Sequence, residues 1–187
     1  MGAGTGDFLN ECLQKNWKAF GVEPSLKARE IAKSKNVVLE KDLASYANQK
    51  FDVITLWHVL EHVENLETYI QSLKKLLKKE GTLFVAVPNH KSFDAIYYGK
   101  FWAAYDVPRH LWHFSQTSIH KIFKHISIKV VQVIPMKFDS YYVSLLSEKY
   151  KKGKTNIFKS FWIGFLSNYR AKKSSEYSSL IYVLKNE

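Results

Sequence analysis

The stretch FDVITLWHVLEHVENLETYIQSLKKLLKKEGTLFVAVPN, residues 51–89, reads as a strand, a helix and a strand in succession. Phe51 to Trp57 is apolar and β-branched almost throughout, the composition of a strand buried on both faces. From Asn65 to Lys79, the residues Leu66, Tyr69, Ile70, Leu73, Leu76 and Leu77 recur at helical spacing. Gly81 ends that helix, and Thr82 to Val87 predicts the next strand, closed by Pro88-Asn89. Two strands joined through a helix pair in parallel, so the stretch is a βαβ unit and the fold class is α/β.

Upstream the same rhythm continues from a glycine loop, Met1-Gly-Ala-Gly-Thr-Gly-Asp7, into a helix from Asp7 to Asn16. Glycines 2, 4 and 6 let the backbone turn tightly and approach a ligand, which the free amides of the helix start would face. The spacing is GxGxG, with Asp7 where the dinucleotide fingerprint GxGxxG places its third glycine. Trp17 to Glu23 predicts a second strand, stopped by Pro24, and Ser25 caps a helix from Leu26 to Lys35. Glu23 lies 17 to 21 residues beyond the glycines, close to the roughly 20 at which such sites place a ribose-binding carboxylate. Its two oxygens suit two ribose hydroxyls, the alternative being a surface glutamate at a strand end. Asn36 to Leu39 predicts a third strand. Asp42 and Leu43 follow it, either where an adenine lies in a doubly wound sheet or in a plain turn.

At 187 residues and 46% hydrophobic content, the chain supports one domain over 1–187. The single cysteine, Cys12, excludes an internal disulfide framework and fits the cytoplasm. The sequence carries neither a signal-peptide pattern nor the run of about 18 apolar residues that a membrane span requires. A net charge of +11 raises the question of a polyanionic partner, but the lysines are scattered over helix faces and loops, which argues against nucleic acid.

Residues 90–114 are dense in aromatics (Phe93, Tyr97, Tyr98, Phe101, Trp102, Tyr105, Trp112) and lie where substrate lids sit. Ser115 caps a helix from Gln116 to His125, and Ile126 to Met136 and Ser179 to Leu184 predict the last two strands. Between those strands lies a helical insertion, 138–178. In it Phe158, Phe161, Trp162, Phe165 and Leu166 form a helical stripe. The stripe is expected to pack over a cleft or a partner subunit. The alternative is membrane-surface association through 157–173, aided by Lys159, Arg170, Lys172 and Lys173.

GAGTGD, GVEPS, the 51–89 block and YDVPRHLWHFS at 105–115 together resemble the type 11, 12 and 23 groups of class I S-adenosylmethionine (SAM)-dependent methyltransferases, over residues 2 to about 126. The resemblance implies a Rossmann-like doubly wound sheet, mostly parallel with an antiparallel last strand. In those groups a complete strand precedes the glycine loop, whereas here only Met1 stands in its place. The expected sheet is therefore N-terminally truncated, with two inner strand edges open to an upstream segment or another chain's strand.

The implied cofactor is SAM. Gly2, Ala3, Gly4 and Gly6 would line its methionine and ribose part, Glu23 and Pro24 the ribose, and Asp42 and Leu43 the adenine. Trp57 and His58 would sit beside the methionine moiety, where an aromatic ring favours the sulfonium. On the substrate side the candidates are His62, Tyr105, Arg109, His110 and His113. A histidine can serve as base, and Arg109 can clamp a carboxylate or phosphate; the alternative for each histidine is capping or bridging a loop. Glu61, His62 and Glu64 have poor spacing for a closed metal site, so no metal is expected.

The activity implied is methyl transfer to a small-molecule or carbohydrate-like acceptor, at oxygen. The alternatives are a non-catalytic binding module of the same fold and a nucleic-acid methyltransferase. Against the latter, no Asn-Pro-Pro-Tyr or Asp-Pro-Pro-Tyr follows the fourth strand. A homodimer stays open.

Overall fold

A computed structural model describes residues 1–187. Strands β3 (Phe51–Trp57) and β4 (Leu77–Pro88) pair in parallel, Ile54 opposite Leu83 and Leu56 opposite Val85, joined by helix α3 (Leu66–Leu76). The Asn65 side chain caps α3 by accepting from the Thr68 amide. Leu66, Ile70, Leu73 and Leu76 are all buried, so the apolar stripe of α3 lies on the sheet. The helix ends three residues before Lys79. Leu77 is buried opposite Phe51 at the start of β4, and Lys78 reaches Asp52 at 2.9 Å. Ladder bonds and burial of Leu77 win over helix propensity there.

The last strand, β6 (Ser179–Asn186), runs antiparallel between β4 and β5 (Ile128–Pro135), giving the order β3-β4-β6-β5. Helix α5 (Gln116–His125) is capped by Ser115 and Ser118, each side chain bonded to the other's backbone. A core of 21 buried residues, among them Leu56, Leu73, Phe123 and Tyr182, joins these helices to the four strands.

The N-terminal third is thinner. It holds α1 (Asp7–Gln14), β1 (Gly21–Val22), α2 (Leu26–Ser34, capped by Ser25) and β2 (Leu39–Glu40). The expected strand from Trp17 to Glu23 shrinks to two residues, because β1 has a full ladder only with β2, in parallel. On its other side the Ala3 amide donates to Val22 O at 2.9 Å, and the Met1 nitrogen donates to Thr55 O of β3 at 2.8 Å. Residues 1–3 thus bridge β1 and β3. Beside them is an apolar cavity of about 310 Å³, lined by Phe8, Trp17, Phe20, Tyr46, Phe51 and Trp57 among others. Phe20, Tyr46 and Phe51 meet edge to face with centroids 5.5 to 5.8 Å apart.

The remaining helices are α4 (Phe93–Tyr98), α6 (Asp139–Lys152) and α7 (Ile157–Ser174). Buried Asp94 of α4 accepts from Trp102 Nε1 at 2.7 Å, Ser167 Oγ at 2.6 Å and Ser178 Oγ at 2.7 Å, tying the aromatic segment to α7 and the start of β6. Helices α6 and α7 meet through small residues: Ser140, Ser144 and Ser147 on one, Ser160, Gly164 and Ser167 on the other, all buried. A Cβ on Gly164 would come within 2.9 Å of the Tyr141 Cα. Of the cleft or partner subunit expected beneath the stripe, it covers no cleft of this chain, because it points away from this seam. Phe158, Phe161, Trp162 and Phe165 are exposed, because the small-residue face permits the closer backbone approach.

Candidate functional site

Gly2, Gly4 and Gly6 all have positive φ (61°, 54° and 79°), a region that side-chain-bearing residues rarely enter. Their surroundings differ. A Cβ on Gly2 would strike Val59 at 2.4 Å, and one on Gly6 would crowd Ala32 and Val37 at 3.0 to 3.2 Å. At Gly4 nothing lies within 4 Å. Gly2 and Gly6 serve packing; Gly4 faces open space. The Gly4 amide donates to Glu23 Oε2 at 2.8 Å, and the Ser25 amide donates to Glu23 Oε1 at 3.0 Å.

Each Glu23 oxygen so engaged keeps a lone pair for a ligand hydroxyl. An open glycine, a nearby helix start and a half-buried carboxylate fit an adenosyl group. The carbonyls of Glu23 and Pro24 both accept from Arg29 Nη1 at 2.7 Å, which fixes the turn after β1. The Glu23 amide donates to Glu40 O at 2.9 Å, so β2 and the turn after it stand alongside. In that turn Asp42 caps Leu43–Tyr46, accepting from the Ala44 amide at 2.9 Å, and Leu43 is half-buried.

Trp57, at the end of β3, packs edge-on against Phe8 with centroids 6.1 Å apart, and its indole nitrogen is buried without an acceptor. His58 has a positive φ of 52°, which turns its ring between two carboxylates. Its Nδ1 is 3.3 Å from Glu61 and its Nε2 is 3.2 Å from Asp139. Burial opposes its charge, but the flanking carboxylates of Asp139 and Glu61 outweigh that and raise its pKa to about 9. His58 is therefore a fixed cation near neutral pH, not a base. Asp139 begins α6, and no spacing in the sequence pointed to it. Glu61 is fully buried and receives no well-formed hydrogen bond from the protein, the His58 ring being its nearest charge.

The His62 and His110 rings stand 4.7 Å apart and nearly perpendicular. His62 Nδ1 lies 2.9 Å from Arg109 O, and His110 Nδ1 lies 2.8 Å from Ala104 O. A carbonyl only accepts, so in each ring Nδ1 carries a hydrogen; His110 Nε2 lies 3.8 Å from Asp106 Oδ2. Burial, opposed by the Ala104 bond, lowers the His110 pKa. Ligand atoms of Glu61, His62 and His110 lie within 4.8 Å of one another and could hold a divalent cation. The third member of that trio comes from the loop beyond α4 and not from Glu64, so linear spacing could not reveal it.

Arg109 is exposed and pairs with Asp106 at 2.8 Å, joining the site through its carbonyl. Tyr105 lies against Trp102 at 5.1 Å and His113 at 4.9 Å, and its carbonyl accepts from His113 Nε2 at 3.0 Å. These two brace the loop that carries His110.

This architecture is that of the SAM-dependent methyltransferases. A solved SAM-dependent methyltransferase from Archaeoglobus fulgidus superposes with a TM-score of 0.65 at 16% identity, covering 100% of this chain and 83% of that one. The chain belongs to the methyltransferase-domain family, whose model matches residues 1–133. It is similar to the ubiquinone biosynthesis O-methyltransferase of Glaesserella parasuis, 54% identical over 41 residues, which are 22% of this chain and 17% of that protein. The protein of the same description from Pelagibacter ubique is 32% identical over 97 residues, 48% of this chain and 40% of that one. The matches thus span less than half the length of either curated relative.

Proposed function

We propose that this chain binds SAM at the hollow between Gly4 and Glu23 and transfers its methyl group to an oxygen of a small-molecule acceptor. The acceptor would lie beside His62 and His110. The observation that carries this reading is the meeting of the Gly4 amide and the Glu23 carboxylate at 2.8 Å, in front of open space. Two relatives described as O-methyltransferases support oxygen as the acceptor atom.

When bound, SAM supplies an electrophilic methyl carbon on a sulfonium. The chain itself must hold the acceptor oxygen in line, exclude water and take the hydroxyl proton. His110 suits the proton transfer, because burial lowers its pKa and the Ala104 carbonyl holds its Nδ1, which leaves Nε2 as the nitrogen that takes a proton. The buried Glu61 carboxylate would stabilise the imidazolium that forms. His58, held positive by Glu61 and Asp139, compensates that carboxylate in the resting state.

Calorimetry with S-adenosylhomocysteine tests the reading. The unmodified chain binds, and Glu23→Ala weakens binding by at least about tenfold, with Glu23→Gln intermediate. Unchanged affinity in Glu23→Ala overturns the ribose role. If the unmodified chain does not bind at all, a non-catalytic module becomes the better reading.

A further inference from the structure

Helices α6 and α7 form a hairpin that is small and polar inside and aromatic outside. Serines and Gly164 fill the seam between them, while Phe158, Phe161, Trp162, Phe165 and Tyr169 of α7 face solvent, Phe158 with 91% of its surface exposed. At 3.6 residues per turn these five rings fall on one stripe about 17 Å long. Trp162, Phe165 and Tyr169 stack in succession at 5.7 and 6.4 Å. A contiguous aromatic patch of this kind marks a surface that meets another apolar phase.

The charge around the stripe selects that phase. Residues 139–174 contain eight lysines and arginines against two acids. Both acids are turned inward: Asp139 contacts His58 at 3.2 Å, and buried Glu148 pairs with Lys159 at 3.0 Å. The hairpin thus presents only positive charge outward. Lys172 lies over the Tyr169 ring at 5.8 Å, a basic head beside an apolar body. A second copy of this face would bring cations against cations, which is unfavourable. No helix of the chain is long and apolar enough to cross a membrane.

We infer that the α6–α7 hairpin docks the protein onto an anionic lipid bilayer. Its rings sink to the headgroup–acyl boundary, and Lys149, Lys151, Lys152, Lys154, Lys172 and Lys173 meet the lipid phosphates. Through Asp139 at the head of α6, which holds His58, the hairpin is joined to the histidine site. An acceptor presented at the lipid surface would reach that site; this corollary rests on the transferase reading, whereas the docking does not.

Vesicle flotation without cofactor tests the docking, so its outcome is separate from that of the transferase reading. The full chain floats with vesicles of phosphatidylcholine plus phosphatidylglycerol at least about tenfold better than with phosphatidylcholine alone, and added salt weakens the binding. Phe158→Ser, Trp162→Ser and Phe165→Ser together reduce flotation by at least about tenfold, with an unchanged circular dichroism spectrum. No binding to anionic vesicles, or full binding by the triple variant, overturns the proposal. So does a lipid-free dimer, seen by light scattering, that the same three substitutions dissolve.

Discussion

Helix α3 and helix α7 carry apolar stripes of the same period, and the fold uses them in opposite ways. In α3, Leu66, Ile70, Leu73 and Leu76 are buried on the parallel strands, and the polar face meets water. In α7 the buried residues are Ser160, Ile163, Gly164, Ser167 and Ala171, and the large rings face out. A hydrophobic stripe identifies a helix but does not say which face packs inward. That depends on the opposing surface: a sheet rewards bulky Leu and Ile, whereas a second helix studded with serines rewards the face that lets two backbones come close.

The contrast is sharpest where each helix is most tightly held. Leu73→Ala, at a fully buried position, is expected to cost about 3 kcal/mol in urea unfolding. A loss under about 1 kcal/mol would mean that α3 does not anchor the core as described. Gly164→Val drives a branched side chain toward the Tyr141 backbone, and about 2 kcal/mol is the expected loss of thermal stability, measured by calorimetry. A neutral Gly164→Val would break the contrast, because the α6–α7 seam would then have room to spare. Phe158→Ser should change stability by less than about 0.5 kcal/mol by the same methods. A clearly larger loss would show that the outward stripe supports the free fold and is no spare surface.

Much of the scaffold was legible because its signals are local. The strand from Phe51 to Trp57, the helix from Gln116 to His125 and the Ser25 and Ser115 caps all lie where alternation, periodicity and capping chemistry put them. The approach of Glu23 to the glycine loop also follows from spacing, since a strand's end and the loop before it recur at fixed separation in such folds. The shortened β1 was not legible. Its residues are apolar enough for a longer strand, but ladder length is set by the neighbours available, and residues 1–3 bridge only part of the span to β3.

The histidine site shows the same division. Sequence set His58 on the cofactor side and His62 and His110 on the substrate side, but not what each ring would bond to. The fold set one between two carboxylates and bound the other two through Nδ1 to backbone carbonyls. That difference came from Asp139, Glu61 and two backbone carbonyls, which lie in three separate segments of the chain. By itself, then, the sequence determined the α/β order, most helix and strand positions and the acid placed near the glycine loop, all carried by local pattern and spacing along the chain. Only the tertiary structure decided the protonation of His58, the pairing of His62 with His110 and the outward turn of the α7 rings. Charge state and burial depend on what distant segments place alongside a residue, and no local pattern encodes that.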